Sequence, residues 1–186
     1  MIRQEINKMI FDHIFAMVCD MAMKFLMSLP LAIIVGIIIH FITKKYYMSK
    51  LQENRLRKCL YKKILTESVL GAYVVLLIQI SVLLRPIGGV HEIDLIPFNS
   101  PGGWQYIVLY AVANAVFFIP LGIFLPMIWK KMRKTGWALL AGLLGSLLIE
   151  VSQLLLQCGV FQTEDLIMNT LGTGMGYWLY RKRYDP

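Results

Sequence analysis

Two carboxylates and two side-chain amides lie inside apolar segments of this 186-residue chain. Glu150 and Gln153 belong to one apolar stretch, and Asp165 and Asn169 begin the next. A charged side chain at the centre of a membrane helix costs roughly 2.5–3.5 kcal/mol unless it faces a cavity or a partner. These four residues are therefore candidates for proton transfer or for hydrogen bonding to a polar ligand.

The composition indicates an integral membrane protein. Apolar residues make up 58% of the chain and charged residues only 16%, and the mean hydropathy is +0.62. The net charge of +8 comes from short basic blocks between apolar runs, which is how membrane topology is encoded. No nucleic-acid partner is expected, because no soluble domain is present to carry a basic face. Membrane lipids are the expected surroundings.

Spanning a bilayer takes about 20 mainly apolar residues, and several windows come close to that length. They predict an all-α fold, a polytopic bundle of about five transmembrane helices. The second and fifth windows are short, so four spans are the alternative. The windows are 22–43, 67–84, 105–129, 136–157 and 165–180.

Basic residues are concentrated on one side of this predicted bundle. The first and third connections and the segment after the last span hold 15 of the 19 Lys and Arg residues. Because basic loops stay in the cytoplasm, we expect the N-terminus outside and the C-terminus inside. The chain then divides into an N-terminal segment over 1–20, an extra span with a basic cytoplasmic loop over 21–66, a transmembrane domain over 67–180 and a cytoplasmic tail over 181–186.

Residues 1–20 have apolar side chains at helical spacing. This pattern predicts an amphipathic helix on the outer surface, or equally an extension of the first span. For the basic segment 44–66, a role as topology anchor is favoured over recognition of anionic lipids.

The polar residues of the spans map to the outer half of the predicted bundle. At 1.5 Å per residue, Glu150 lies about 21 Å along the fourth span from its cytoplasmic entry. We therefore predict a polar cavity that opens outward. The candidate ligand-binding residues are Arg85, Asn114, Glu150, Gln153, Asp165 and Asn169.

Two questions stay open at this point. Glu150 is either ionised against Arg85 or protonated because it is buried. The amides either bind a ligand or only join helices through hydrogen bonds. Small residues on the last two spans predict close helix packing, and these are Gly142, Ser146, Gly172 and Gly176.

No known catalytic or cofactor motif is present in the sequence. It contains no HExxH, no GxSxG and no phosphate-binding glycine loop after a strand. The histidines form no pair with metal-ligand spacing. No metal site and no cofactor are therefore predicted.

Four short motifs occur in an order that resembles the VanZ-like family. The similarity covers about 70–180, and residues 1–65 lie outside it. The motifs are Asp94-Leu-Ile-Pro-Phe98, Asn114 with Phe118-Ile-Pro-Leu-Gly122, Glu150-Val-Ser-Gln153, and Asp165-Leu-Ile-Met-Asn169 followed by Gly172 and Gly176.

The resemblance implies a multi-pass protein of the bacterial cytoplasmic membrane and a role in low-level resistance to the lipoglycopeptide teicoplanin. Two departures from the family pattern stand out. Asp94 replaces the usual Asn, and nothing between Gln153 and Glu164 is charged, whereas many members have an Arg there. If that Arg completes the outer site in the family, its role is either missing from this chain or taken by Arg85.

Three functional hypotheses follow. The first is a non-enzymatic protein that binds a lipid-linked cell-wall precursor or a lipoglycopeptide, with Glu150 and Asp165 contacting or orienting the ligand. The second is an intramembrane enzyme acting on a lipid-linked cell-wall intermediate, with Glu150 as general acid or base and Asp165 as its catalytic partner. The third is a small transporter subunit in which Glu150 carries a proton.

Overall fold

The structure is a computed structural model that describes residues 2–49, 54–99 and 104–184, with the side chains of 2–7, 9–10, 54–59 and 90–91 left out. Its helices form a bundle, which confirms the predicted all-α class. The elements in chain order are α1 (Ile2–Met48), α2 (Asn54–Ile78), β1 (Val90–Asp94), α3 (Trp104–Ile128), α4 (Thr135–Leu155), β2 (Cys158–Gln162) and α5 (Thr163–Tyr184).

Among the described residues, four helical segments are long and apolar enough to cross a membrane: parts of α1 and α2, and the whole of α3 and α4. The 22-residue α5 is more polar than these four, since its first turn contains Glu164 and Asp165 and its last turn contains three basic residues. It packs along α3 and α4, so polar groups on α5 face other helices. A fifth crossing by α5 stays a prediction.

The first helix is much longer than a membrane is thick. Its 47 residues span about 70 Å at 1.5 Å per residue, against a hydrocarbon core of about 30 Å. α1 continues without a break through residues 20 and 21, as the extension hypothesis for residues 1–20 requires. Most side chains of the amphipathic pattern over residues 2–10 lie outside the described part of the chain.

α2 runs antiparallel to α1 and ends in an irregular turn. Gly36 of α1 lies against Ala72 of α2. After Ile78 the helix widens into a π-helical turn, Gln79–Leu83, a conformation that is frequent at functional sites. The buried Gln79 side chain donates a hydrogen bond from Nε2 to the Ser28 carbonyl oxygen over 3.2 Å, which fixes this turn to α1.

The backbones of α3 and α5 touch each other. A Cβ atom added at Gly172 would lie 2.0 Å from the Ala115 carbonyl oxygen, and one added at Gly176 would lie 2.0 Å from the Ile119 carbonyl oxygen. Such distances are far below van der Waals contact, so only glycine fits at either position. This close approach fixes where the first turn of α5 lies relative to α3.

Two short strands, which the sequence analysis did not predict, close one end of the bundle. β1 and β2 pair in parallel, with register running from Val90 opposite Cys158 to Asp94 opposite Gln162. We call the end with these strands, the end of α4 and the start of α5 the strand end. The opposite end, with the 3₁₀ turn Lys130–Arg133 and the end of α5, is the basic end. The strand end is the one predicted to face outward.

Candidate functional site

Two carboxyl groups meet at the strand end. Glu150 lies near the end of α4 and is only 1% exposed, and Asp165 lies in the first turn of α5. β2 folds the chain back between them, so that their carboxyl groups come within hydrogen-bonding reach of each other. A hydrogen bond between two carboxyl groups requires a proton on one of them. We call these two residues the carboxyl pair.

Neighbouring elements hold each member of the carboxyl pair in place. Glu150 Oε2 accepts a hydrogen bond from the Gln162 backbone N–H over 2.9 Å. Asp165 Oδ1 accepts one from Asn114 Nδ2 over 2.5 Å. Glu150 is therefore connected to the end of β2, and Asp165 to the middle of α3. Because the two carboxyl groups also contact each other, the pair links these two elements.

Arg85 lies just beyond the π-helical turn, within electrostatic range of both members of the carboxyl pair. Among the described residues, neither Glu150 nor Asp165 has a Lys or Arg nitrogen within 4 Å, so a direct Glu150–Arg85 ion pair is not formed. A Cβ atom added at Gly159 would lie 2.9 Å from Arg85 Nη1 and 2.9 Å from Gln153 Oε1. The small Gly159 therefore leaves room for the guanidinium group.

The remaining two predicted residues connect helices. Asn169 donates from Nδ2 to Ser146 Oγ over 2.8 Å, which joins α5 to α4. Gln153 donates from Nε2 to the Ser81 carbonyl oxygen over 2.9 Å, which joins α4 to the π-helical turn. The Asn169 Oδ1 atom is buried and has no hydrogen-bond donor within the described part of the chain. All six predicted residues thus lie in the half of the bundle nearer the strand end.

A cavity of about 260 Å³ opens beside these residues, between α1, the π-helical turn and α3. Its polar wall includes Arg85, Asn114 and Tyr110, together with Asp20 and Lys24 of α1, whose side chains form an ion pair at 2.5 Å. We call it the strand-end cavity. The described residues on its wall do not include the carboxyl pair, which lies behind Asn114. Among the described residues, only Asn114 both lines the cavity and forms a hydrogen bond with the pair.

Several polar residues of this region were missed by the sequence analysis. The i, i+4 spacing of Asp20 and Lys24 predicts an ion pair on one face of a helix, but it does not predict that this pair lines a cavity. Glu164 lies outside the predicted spans, between the fourth and fifth windows, but it is only 6% exposed. Its carboxylate accepts hydrogen bonds from the Phe98 backbone N–H and, over 3.4 Å, from Gln162 Nε2. Glu164 therefore fastens the loop that follows β1.

The predicted packing residues lie where helices touch. Gly172 and Gly176 face α3, as described above. A Cβ atom added at Gly142 would lie 2.3 Å from Thr173 Oγ1, and Ser146 is fully buried beside α5. Within the described residues, no group of three or more His, Cys, Asp or Glu side chains has a geometry that could hold a metal ion.

A bundle of apolar helices around a buried carboxyl pair and a polar cavity defines a membrane protein with a polar site inside its helix bundle. The model of the VanZ/LLP1 family matches residues 1–183, so the chain belongs to that family. The match confirms the resemblance and is longer than the motifs indicated, since it also includes α1 and the basic segment 44–66. Comparisons with curated proteins and with solved structures give no match.

Proposed function

We propose that this VanZ/LLP1 family protein is a multi-pass protein of the bacterial cytoplasmic membrane. In this proposal it binds a polar, lipid-linked ligand at the strand-end cavity and thereby gives low-level resistance to teicoplanin. The observation that carries the proposal is the position of Asn114, which lines the cavity and donates to Asp165 of the carboxyl pair. A cavity wall that is attached to a buried acidic pair is costly to build for packing alone.

The size and lining of the cavity narrow the choice of ligand. Small-molecule sites usually measure about 300–1,000 Å³, so a cavity of about 260 Å³ holds one polar group of a larger molecule. The Arg85 guanidinium suits a phosphate or carboxylate group, which it can bind through two parallel hydrogen bonds. The headgroup of a lipid-linked cell-wall precursor and a polar group of a lipoglycopeptide both meet this description.

The carboxyl pair has an orienting role in this proposal. Asp165 accepts one N–H of the Asn114 amide, which fixes the plane of that amide. The other N–H and the carbonyl oxygen of Asn114 are then the groups that a ligand would use. Glu150 contacts Asp165 on the side away from the cavity, and it is linked to β2 by the hydrogen bond from the Gln162 N–H.

The proposal is tested by producing the protein in a sensitive Gram-positive host. We expect the wild-type chain to raise the inhibitory concentration of teicoplanin above that of a vector control, and to raise that of vancomycin less, because vancomycin has no acyl chain. The measurement is parallel susceptibility testing, with the membrane level of the protein followed by immunoblot. Equal susceptibility of the two strains at a verified membrane level would contradict the proposal.

An enzyme acting on a lipid-linked cell-wall intermediate is the second candidate. The contact between two carboxyl groups favours it, since such a pair can supply one acid and one base. Neither carboxyl group is among the described residues on the cavity wall, which is why the binding protein is preferred. The two functions differ in what they require of Glu150.

The Glu150→Gln substitution separates these candidates. The amide oxygen of Gln can still accept from the Gln162 N–H, and its Nε2 can donate to Asp165, so we expect a folded protein at the wild-type membrane level. For a binding protein, protection against teicoplanin should persist at least in part, because Arg85 and Asn114 still line the cavity. The measurement is the teicoplanin inhibitory concentration of the variant strain.

Complete loss of protection by a fully inserted Glu150→Gln protein would argue against the binding protein and for the enzyme. An enzyme needs a group at this position that can give up and take back a proton, which a carboxyl group does and an amide does not. The Glu92→Gln substitution is the matched control. Glu92 is an exposed glutamate in the middle of β1, so the same chemical change there should leave protection unchanged.

A further inference from the structure

A second polar cavity lies at the basic end of the bundle. Its volume is about 520 Å³, and it is enclosed by the start of α2, the end of α3, the 3₁₀ turn Lys130–Arg133 and the end of α5. Met127, Ile128 and the buried ring of Tyr180 form an apolar floor. We call this space the basic-end cavity. It lies at the opposite end of the helices from Arg85 and Asn114, so it is separate from the strand-end cavity.

The rim of the basic-end cavity is positively charged. Lys62 and Lys63 reach it from α2, and Lys130 and Arg133 reach it from the 3₁₀ turn. Among the described residues, the only carboxylate within 4 Å of these four side chains is that of Glu67, at 3.8 Å from Lys63 Nζ. Like charges gathered around one cavity repel each other, so an anion bound there would be stabilised by several cations at once.

This rim is held in position by hydrogen bonds that leave its charged ends available. Arg133 donates from Nε to the Pro126 carbonyl oxygen over 3.3 Å, and the Tyr177 hydroxyl donates to the Arg133 carbonyl oxygen. Both bonds fix the 3₁₀ turn to the neighbouring helices. Lys62 Nζ lies 5.1 Å from the centre of the Tyr184 ring, a cation–π contact that orients its side chain towards α5.

We propose that the basic-end cavity binds the phosphate headgroup of an anionic phospholipid. Lys62, Lys130 and Arg133 would contact the phosphate oxygens, and the start of an acyl chain would lie along Met127 and Ile128. The combination of a cationic rim with an apolar floor fits an amphiphile better than a free ion. The cavity is also placed where α2 and α3, two helices able to cross a membrane, begin and end, which is where lipid headgroups lie.

The test uses the purified full-length protein and native mass spectrometry with added phosphatidylglycerol or phosphatidylcholine of identical acyl chains. We expect wild type to bind phosphatidylglycerol more tightly. The double variant Lys62→Gln/Lys130→Gln should weaken that binding roughly 25-fold, since each Lys near an anionic lipid surface is worth roughly fivefold in affinity. Both side chains are exposed, so these changes leave the core intact.

A charge-matched control separates this site from general attraction to basic residues. Lys45→Gln/Lys134→Gln removes two charges near the same end of the bundle, but neither residue lines the cavity, so wild-type binding should be retained. Equal binding of the two lipids by wild type, or equal loss in both double variants, would overturn the proposal. Displacement of phosphatidylglycerol by inorganic phosphate, but not by chloride at equal ionic strength, would overturn the lipid assignment in favour of free phosphate.

Discussion

The Gly172→Leu substitution is expected to lower strongly the amount of folded protein that accumulates in the membrane. A Cβ atom at this position would lie 2.0 Å from the Ala115 carbonyl oxygen, and a backbone atom cannot rotate out of the way as a side chain can. Overpacking of a core usually costs about 1–3 kcal/mol, and a clash between two helix backbones should reach or exceed the top of that range. The measurement is the membrane level and the unfolding temperature of the purified variant.

Gly136→Leu is the matched control for that substitution. Gly136 lies in the first turn of α4, is exposed, and has nothing within 4 Å of an added Cβ atom. The same change there should be tolerated, because leucine favours helix formation over glycine. If both variants accumulated and unfolded alike, the close contact between α3 and α5 would not be what holds the bundle together.

Filling the strand-end cavity is expected to abolish protection against teicoplanin. Ala113 lines this cavity on α3, and Ala113→Phe would place a large ring into a space of about 260 Å³. The substitution leaves Arg85, Asn114 and the carboxyl pair chemically unchanged. We therefore expect a protein that folds and inserts but no longer admits a ligand, and the teicoplanin inhibitory concentration of the strain should fall to that of the vector control.

The helical part of the fold could be predicted because its signal is local. A run of apolar residues long enough to span a bilayer identifies a membrane helix without knowledge of its neighbours, and the windows for α3 and α4 differ from the observed bounds by one or two residues. α5 was harder, because its polar residues are tolerated through packing on α3 and α4. That packing depends on contacts such as Gly176 with Ile119, which are distant in the sequence.

The strands and the inner arrangement of the site could not be predicted, because they too depend on contacts between residues that are distant in the sequence. β1 and β2 are five residues each and pair across more than sixty residues of chain, so neither has a periodicity that a short window can detect. The depth of Glu150, Asp165 and Asn114 along their helices was enough to bring them to one end. Depth along a helix does not predict which of these residues line the cavity and which lie behind its wall.

The contribution of α1 to the cavity could not be predicted from the sequence either. Asp20 and Lys24 lie outside the region of motif similarity, and their i, i+4 spacing is common on helix surfaces. Only the antiparallel packing of α1 on α2 brings these two residues beside Arg85. The family match over residues 1–183 fits a domain in which α1 is an integral part.

The most direct test of a ligand site in the strand-end cavity is a side-by-side measurement of teicoplanin susceptibility. It compares cells that contain equal membrane levels of wild type, Ala113→Phe and Val112→Phe. Val112 is the adjacent residue on α3 and is 51% exposed on the outside of the bundle, so it receives the same ring without filling the cavity. We predict that wild type and Val112→Phe protect the cells and that Ala113→Phe does not. Full protection by Ala113→Phe would show that the cavity is not where this protein acts.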